Sequence, residues 1–106
     1  MIYRGTTPTI RLHINNTTFN VSDLTERCIT IVNDSGRNKK IFNDCVADDT
    51  TQTISVTLSH DDTLGFEPGY LLVQLTANLG NEEMASPILR TEIGDNLKER
   101  VWWIFH

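Results

Sequence analysis

The chain has 106 residues, 39% of them hydrophobic and 22% charged, with a formal net charge of -5. That length and apolar content suit one packed domain over residues 1–106 and exclude global disorder. Nine Lys and Arg stand against fourteen Asp and Glu, and Lys39-Lys40 is the only adjacent basic pair, so nucleic acid is disfavoured as a main partner. No apolar run approaches the ~20 residues of a membrane-spanning helix. The opening MIYRGTTPTI has no apolar core of a leader, so no secretion signal is expected.

Residues 9–14, TIRLHI, set Ile10, Leu12 and Ile14 against Thr9, Arg11 and His13, the period-2 pattern of a strand with one buried face. Pro8 precedes it, where a missing N–H does least harm. The following polar stretch carries N-x-[ST] sequons at Asn15, Asn16 and Asn20 and reads as a surface loop. Val21 and Leu24 are expected to tuck under the sheet edge. Residues 28–32 are β-branched and form a second strand. Asn33-Asp34-Ser35-Gly36 is type I turn chemistry with glycine in the left-handed place, and Lys40–Phe42 returns as a short edge strand. Residues 48–51 are a polar loop.

The richest stretch is residues 53–77, TISVTLSHDDTLGFEPGYLLVQLTA. Ile54, Val56 and Leu58 alternate with Thr53, Ser55 and Thr57. Ser59 then offers an N-cap oxygen to one helical turn over His60–Leu64. Pro68-Gly69 turns the chain, and a second apolar run opens at Tyr70. Strand, helical turn and return strand is how a chain crosses between the two sheets of a sandwich. Tyr70, just after the corner, is expected to bond its hydroxyl back to nearby backbone. Leu71, Val73, Leu75 and Ala77 form the buried face of the return strand, and Leu72 on its other face marks it as central. Residues 78–81 form a hairpin loop, and residues 84–93 the last strand, whose first half Pro87 demotes to an edge or bulge. Residues 95–100 suit one frayed helical turn. Six or seven short strands at roughly 8–12-residue spacing predict an all-β antiparallel sandwich.

No catalytic constellation is visible. His13 reads as a solvated side chain on a strand's polar face and His60 as a first-turn helical residue, with no G-x-S-x-G elbow to join them. Asp48-Asp49 and Asp61-Asp62 lack the spacing of a calcium loop, and the second pair suits the positive end of the helical turn. The six glycines form no phosphate loop. Cys28 and Cys45 have no CxxC or His spacing to make a metal site. The hairpin register leaves open whether the two sulfurs face each other, and free thiols are expected in a reducing cytosol. The sequence therefore predicts a non-enzyme with no catalytic, cofactor or metal residues. The candidate partner-binding residues are Trp102, Trp103 and Phe105, within an interaction tail over residues 94–106. Large aromatic side chains there either dock on the core or contact another chain.

Three segments carry a resemblance. Tyr3-Arg4-Gly5-Thr6-Thr7-Pro8-Thr9 runs into the first strand; Ser55-Val56-Thr57-Leu58-Ser59-His60-Asp61-Asp62-Thr63-Leu64 leads to residues 69–75; and Met84-Ala85-Ser86 follows the hairpin. Together they resemble the small proteins encoded beside tail and baseplate genes in prophages of Gram-positive bacteria. They are also similar to the immunoglobulin-like N-terminal domain of upper baseplate proteins of such phages. The resemblance implies an immunoglobulin-like β-sandwich acting as a structural or assembly module of a phage tail or baseplate. Its partners would be other virion proteins and its location the virion, assembled in the bacterial cytoplasm; the aromatic tail separately allows a homo-oligomer. The alternative expectation is a carbohydrate-binding sandwich that recognises a host glycan through Tyr3, Trp102 and Trp103.

Overall fold

Alternation along three stretches makes the apolar faces that close on one another. The computed structural model describes residues 1–15 and 19–95. Its strands are β1 (Ile2–Tyr3), β2 (Thr9–His13), β3 (Thr25–Asn33), β4 (Lys40–Phe42), β5 (Val46–Asp48), β6 (Thr53–Thr57), β7 (Gly69–Leu79), β8 (Glu82–Ala85) and β9 (Leu89–Gly94). A 3₁₀ turn covers Val21–Asp23, and the helix α1 covers His60–Leu64. One sheet has the order β1-β9-β7-β3-β4, with β8 also paired to β7, and the other has the order β2-β6-β5. All pairs are antiparallel except β1 with β9.

Chain order through these sheets is that of an immunoglobulin-like sandwich, with β2-β6-β5 in the B-E-D places and β9-β7-β3-β4 in the G-F-C-C′ places. The all-β class is therefore as expected. Nine strand segments stand among the described residues where six or seven were expected, and the extra ones are short. β1 has two residues, β5 has three, and β8 and β9 share one lane beside β7.

The inward residues of the alternating stretches form the core. Ile29 and Ile31 of β3, Ile54 of β6 and Leu71 of β7 are fully buried, and Val73, Leu75 and Val56 nearly so. Each such side chain contributes about 1.5–3 kcal/mol by leaving water. Val21 and Leu24 close the core from below, as their spacing predicts. At the corner, the Ser59 hydroxyl accepts from Asp62 N at 3.0 Å, and Ser59 N donates to the Asp62 carboxylate at 2.9 Å. That reciprocal pair is a capping box, so α1 begins where the sequence places it.

Several expectations need correction. Tyr70 is not a corner tyrosine: it is 38% exposed, and its ring carries the Arg90 guanidinium 3.6 Å from the centroid. Cross-strand register causes this, since Tyr70 sits opposite Glu92 and Arg90 is its diagonal neighbour. The hairpin loop is only Gly80-Asn81, because pairing continues to Leu79 with Glu82. Gly80, at φ 61°, supplies the left-handed turn residue. The second strand begins earlier than expected, at Thr25, through a bulge where Glu26 takes φ 51°. The chain from residue 96, including most of the expected turn at 95–100, lies outside the described residues.

Candidate interaction surface

The last strand is split at Ser86-Pro87-Ile88, and the split shapes the surface around it. Pro87 has no N–H to give a ladder. Ser86 takes over instead: its N–H donates to Leu75 O at 2.8 Å, and its hydroxyl accepts from Leu75 N at 3.0 Å. Gln74 Nε2 adds a bond to Ser86 O at 2.9 Å. β7 thus stays satisfied while β8 and β9 part from a continuous line. Met84 sits opposite Ala77 and Leu89 opposite Val73, so both face the inner side of their sheet.

Facing them across the sandwich is β2, which among the described residues pairs only with β6. Leu12 and Ile14 on this side, Met84 and Leu89 on the other, and Leu75 and Ala77 below line a groove of about 440 Å³. Phe19 and Leu24 line it as well. Leu89, in its lining, is 45% exposed, and Ile88, next to it in the chain, is 63% exposed. Two sheet edges flank it. β9 carries β1 on its outer side only at Ile93 and Gly94. Among the described residues, neither the rest of that edge nor the outer edge of β2 has a strand partner.

Among the described residues, His13 is the only ionisable one lining the groove, and the Ser86 hydroxyl already donates to Pro87 O at 2.9 Å. Among the described residues the lining is mostly apolar, a chemistry that suits apolar side chains. His60 lies at the other end of the sandwich, its Nδ1 2.9 Å from Gly5 O, while His13 pairs with Thr53 at the far end of β2. The two histidines are not brought together. Asp62 serves the capping box, and Asp48 accepts from Thr50 N at 2.9 Å. Asp49 accepts from the Ser22 hydroxyl at 2.7 Å and from Ser22 N at 3.0 Å, and these bonds hold its carboxyl below the ordinary 3.8. Among the described residues no three His, Cys, Asp or Glu gather as a metal site.

Cys28 and Cys45 are both free thiols. The Cys28 sulfur donates to Asn43 Oδ1 at 2.9 Å, and that of Cys45 to Phe42 O at 3.4 Å. Burial pushes the Cys45 thiol above its ordinary 9.0. Tyr3 is 49% exposed in β1 and does not line the groove. Trp102, Trp103 and Phe105 lie outside the described residues. The groove itself was not read from the sequence, although Pro87 marked the interruption that opens it. Compared with protein-family models, curated proteins and solved structures, the chain gives no match.

Proposed function

We propose that this protein is a non-enzymatic structural or assembly module of a phage tail or baseplate, working through protein–protein contacts. The observation that carries the reading is the apolar groove between two sheet edges, with Leu89 of its lining partly exposed. Such a surface suits an extended segment of another chain, which adds main-chain hydrogen bonds to an edge and places alternate side chains in a pocket. The likeness of the opening segment, the corner and the Met84-Ala85-Ser86 hairpin to prophage tail-region proteins supplies the phage context. The partners would then be other tail or baseplate proteins, and the protein would reside in the virion.

The test is to tag the gene in a lysogenic host that carries it, induce the prophage and purify the particles. Quantitative mass spectrometry should find the protein in the tail fraction at a fixed ratio to other tail proteins. Its absence from particles and from tail-assembly intermediates would overturn the reading.

A further inference from the structure

We infer that the groove receives the apolar run Val101-Trp102-Trp103-Ile104-Phe105 of a second copy of this chain as an added strand. This inference rests on the reading of the protein as a contact module and names the contact. The receiving lane is the continuation of β1 along the outer edge of β9, beside Leu89, Arg90 and Thr91. A strand there would pair with β9 and lie over the mouth between Leu89 on one sheet and Leu12 on the other.

Size and period select the donor. The run is the longest uninterrupted apolar stretch in the sequence. An apolar cavity of about 150 Å³ accepts a benzene ring. The 440 Å³ groove therefore has room for two aromatic side chains. In an extended strand successive side chains point to opposite faces. Val101, Trp103 and Phe105 share one face, and they present just that load. Trp102 and Ile104 would then lie on the outer face of the sheet, continuing the exposed row near Ile88.

The direction in which the chain leaves β9 favours a second copy as the donor. Leu89 is at the groove end of β9, whereas Gly94 and Asp95 are at the other end. There Arg4 Nη1 holds Asp95 Oδ1 at 3.3 Å, and β1 occupies the neighbouring lane at Ile93 and Gly94. To enter its own groove the run would have to reverse and pass around β1. Residues 96–100 span at most about 18 Å when extended, so a return to its own groove would need a tight reversal within these five residues, whereas a forward path needs none. Mutual exchange between two copies makes the same contact twice and closes the assembly as a two-fold dimer.

The experiment uses the full chain in three forms: unmodified, Leu89→Glu in the groove, and Trp103→Ala with Phe105→Ala in the tail. Light scattering should give twice the 12.0 kDa chain mass for the unmodified protein and the monomer mass for each variant alone. An equimolar mixture of the two variants should form a heterodimer by native mass spectrometry, because one copy keeps a tail and the other a groove. Far-UV circular dichroism checks folding, and Met84→Glu replaces Leu89→Glu should the latter fail to fold. A monomeric unmodified protein overturns the inference. So does a variant that still dimerises alone, or a mixture that stays monomeric. A monomer whose tryptophan emission shifts on Leu89→Glu would make the chain's own tail the occupant, which also overturns it. The particle assay is independent: a protein present in tails without this exchange leaves the contact-module reading standing.

Discussion

The side chain of Asn33 pairs with both backbone groups of Glu67: Oδ1 accepts from Glu67 N at 3.0 Å, and Nδ2 donates to Glu67 O at 2.9 Å. Asn33 is 3% exposed at the end of β3, and Glu67 lies in the loop that leads from α1 into β7. One amide thereby substitutes for a strand and fixes where the return strand begins. Asn38 Nδ2 donates to the same Oδ1 at 2.9 Å, tying the β3–β4 turn to the corner.

Replacing Asn33 with alanine should therefore be costly. It strips partners from the N–H and C=O of Glu67 in a partly buried site, and an unsatisfied buried group costs about 1–3 kcal/mol. A loss of about 2–4 kcal/mol is expected by urea unfolding, out of the roughly 5–15 kcal/mol that holds a domain together. A loss below about 1 kcal/mol would mean that water replaces the amide and that the loop is positioned by Phe66, which is 1% exposed.

Ser59 gives a second, smaller effect. Ser59→Ala removes the acceptor of Asp62 N and should cost about 1 kcal/mol, as N-cap losses do. Asp62→Asn keeps the Ser59 hydroxyl's bond to residue 62 N and should cost less. Thermal unfolding of the two variants side by side decides whether the cap or the returning carboxylate matters more.

These two sites show what was legible in the sequence and what was not. β2, β6 and β7 could be read because each buries a single face, so Leu12, Ile54, Val56, Leu71 and Leu75 fall at period 2. α1 could be read because its cap is local: Ser59 and Asp62 are three residues apart. β5 could not, since Val46 is 64% exposed and only Ala47 packs on the core, which leaves no apolar alternation in three residues. β1 is defined by Ile93 and Gly94, whose pairing with Ile2 and Tyr3 no local pattern announces. Asn33 looked like a turn residue, and its buried role depends on a partner 34 positions away. The groove is of the same kind. Leu12 and Leu89 each look like ordinary strand residues, and only the sheet order sets them on facing edges.

The two cysteines should react differently. Cys45 is 8% exposed, and burial raises its thiol pKa, so little thiolate is present at neutral pH. Cys28 is more accessible. A chromogenic disulfide reagent should label one thiol per chain quickly and the second only as urea unfolds the domain. Mass spectrometry should place the fast label on Cys28. Equal rates would show that the segment around Cys45 opens without global unfolding.

The contact between Ser22 and Asp49 joins the 3₁₀ turn to the loop after β5, and it predicts a response to acid. Both bonds go to the ionised carboxylate, so folding lowers the Asp49 pKa below 3.8, the hydroxyl of Ser22 being the first cause and its backbone N–H the second. A depressed folded-state pKa means that the unfolded chain takes up the proton first. The contribution is then complete above 3.8 and is lost as pH falls through the lower folded value. Ser22→Ala removes the larger cause and leaves the backbone bond. The unmodified protein should therefore melt at a higher temperature than Ser22→Ala near neutral pH. The two should converge as pH falls through the lowered folded value, below which the carboxyl is protonated in both states. Because Asp49 is fully solvent-exposed, the gap should also narrow with added salt as its charge is screened. Melting curves at several pH values check this directly, and a gap that persists unchanged into acid would show that Ser22 stabilises the turn by some other route than the Asp49 carboxylate.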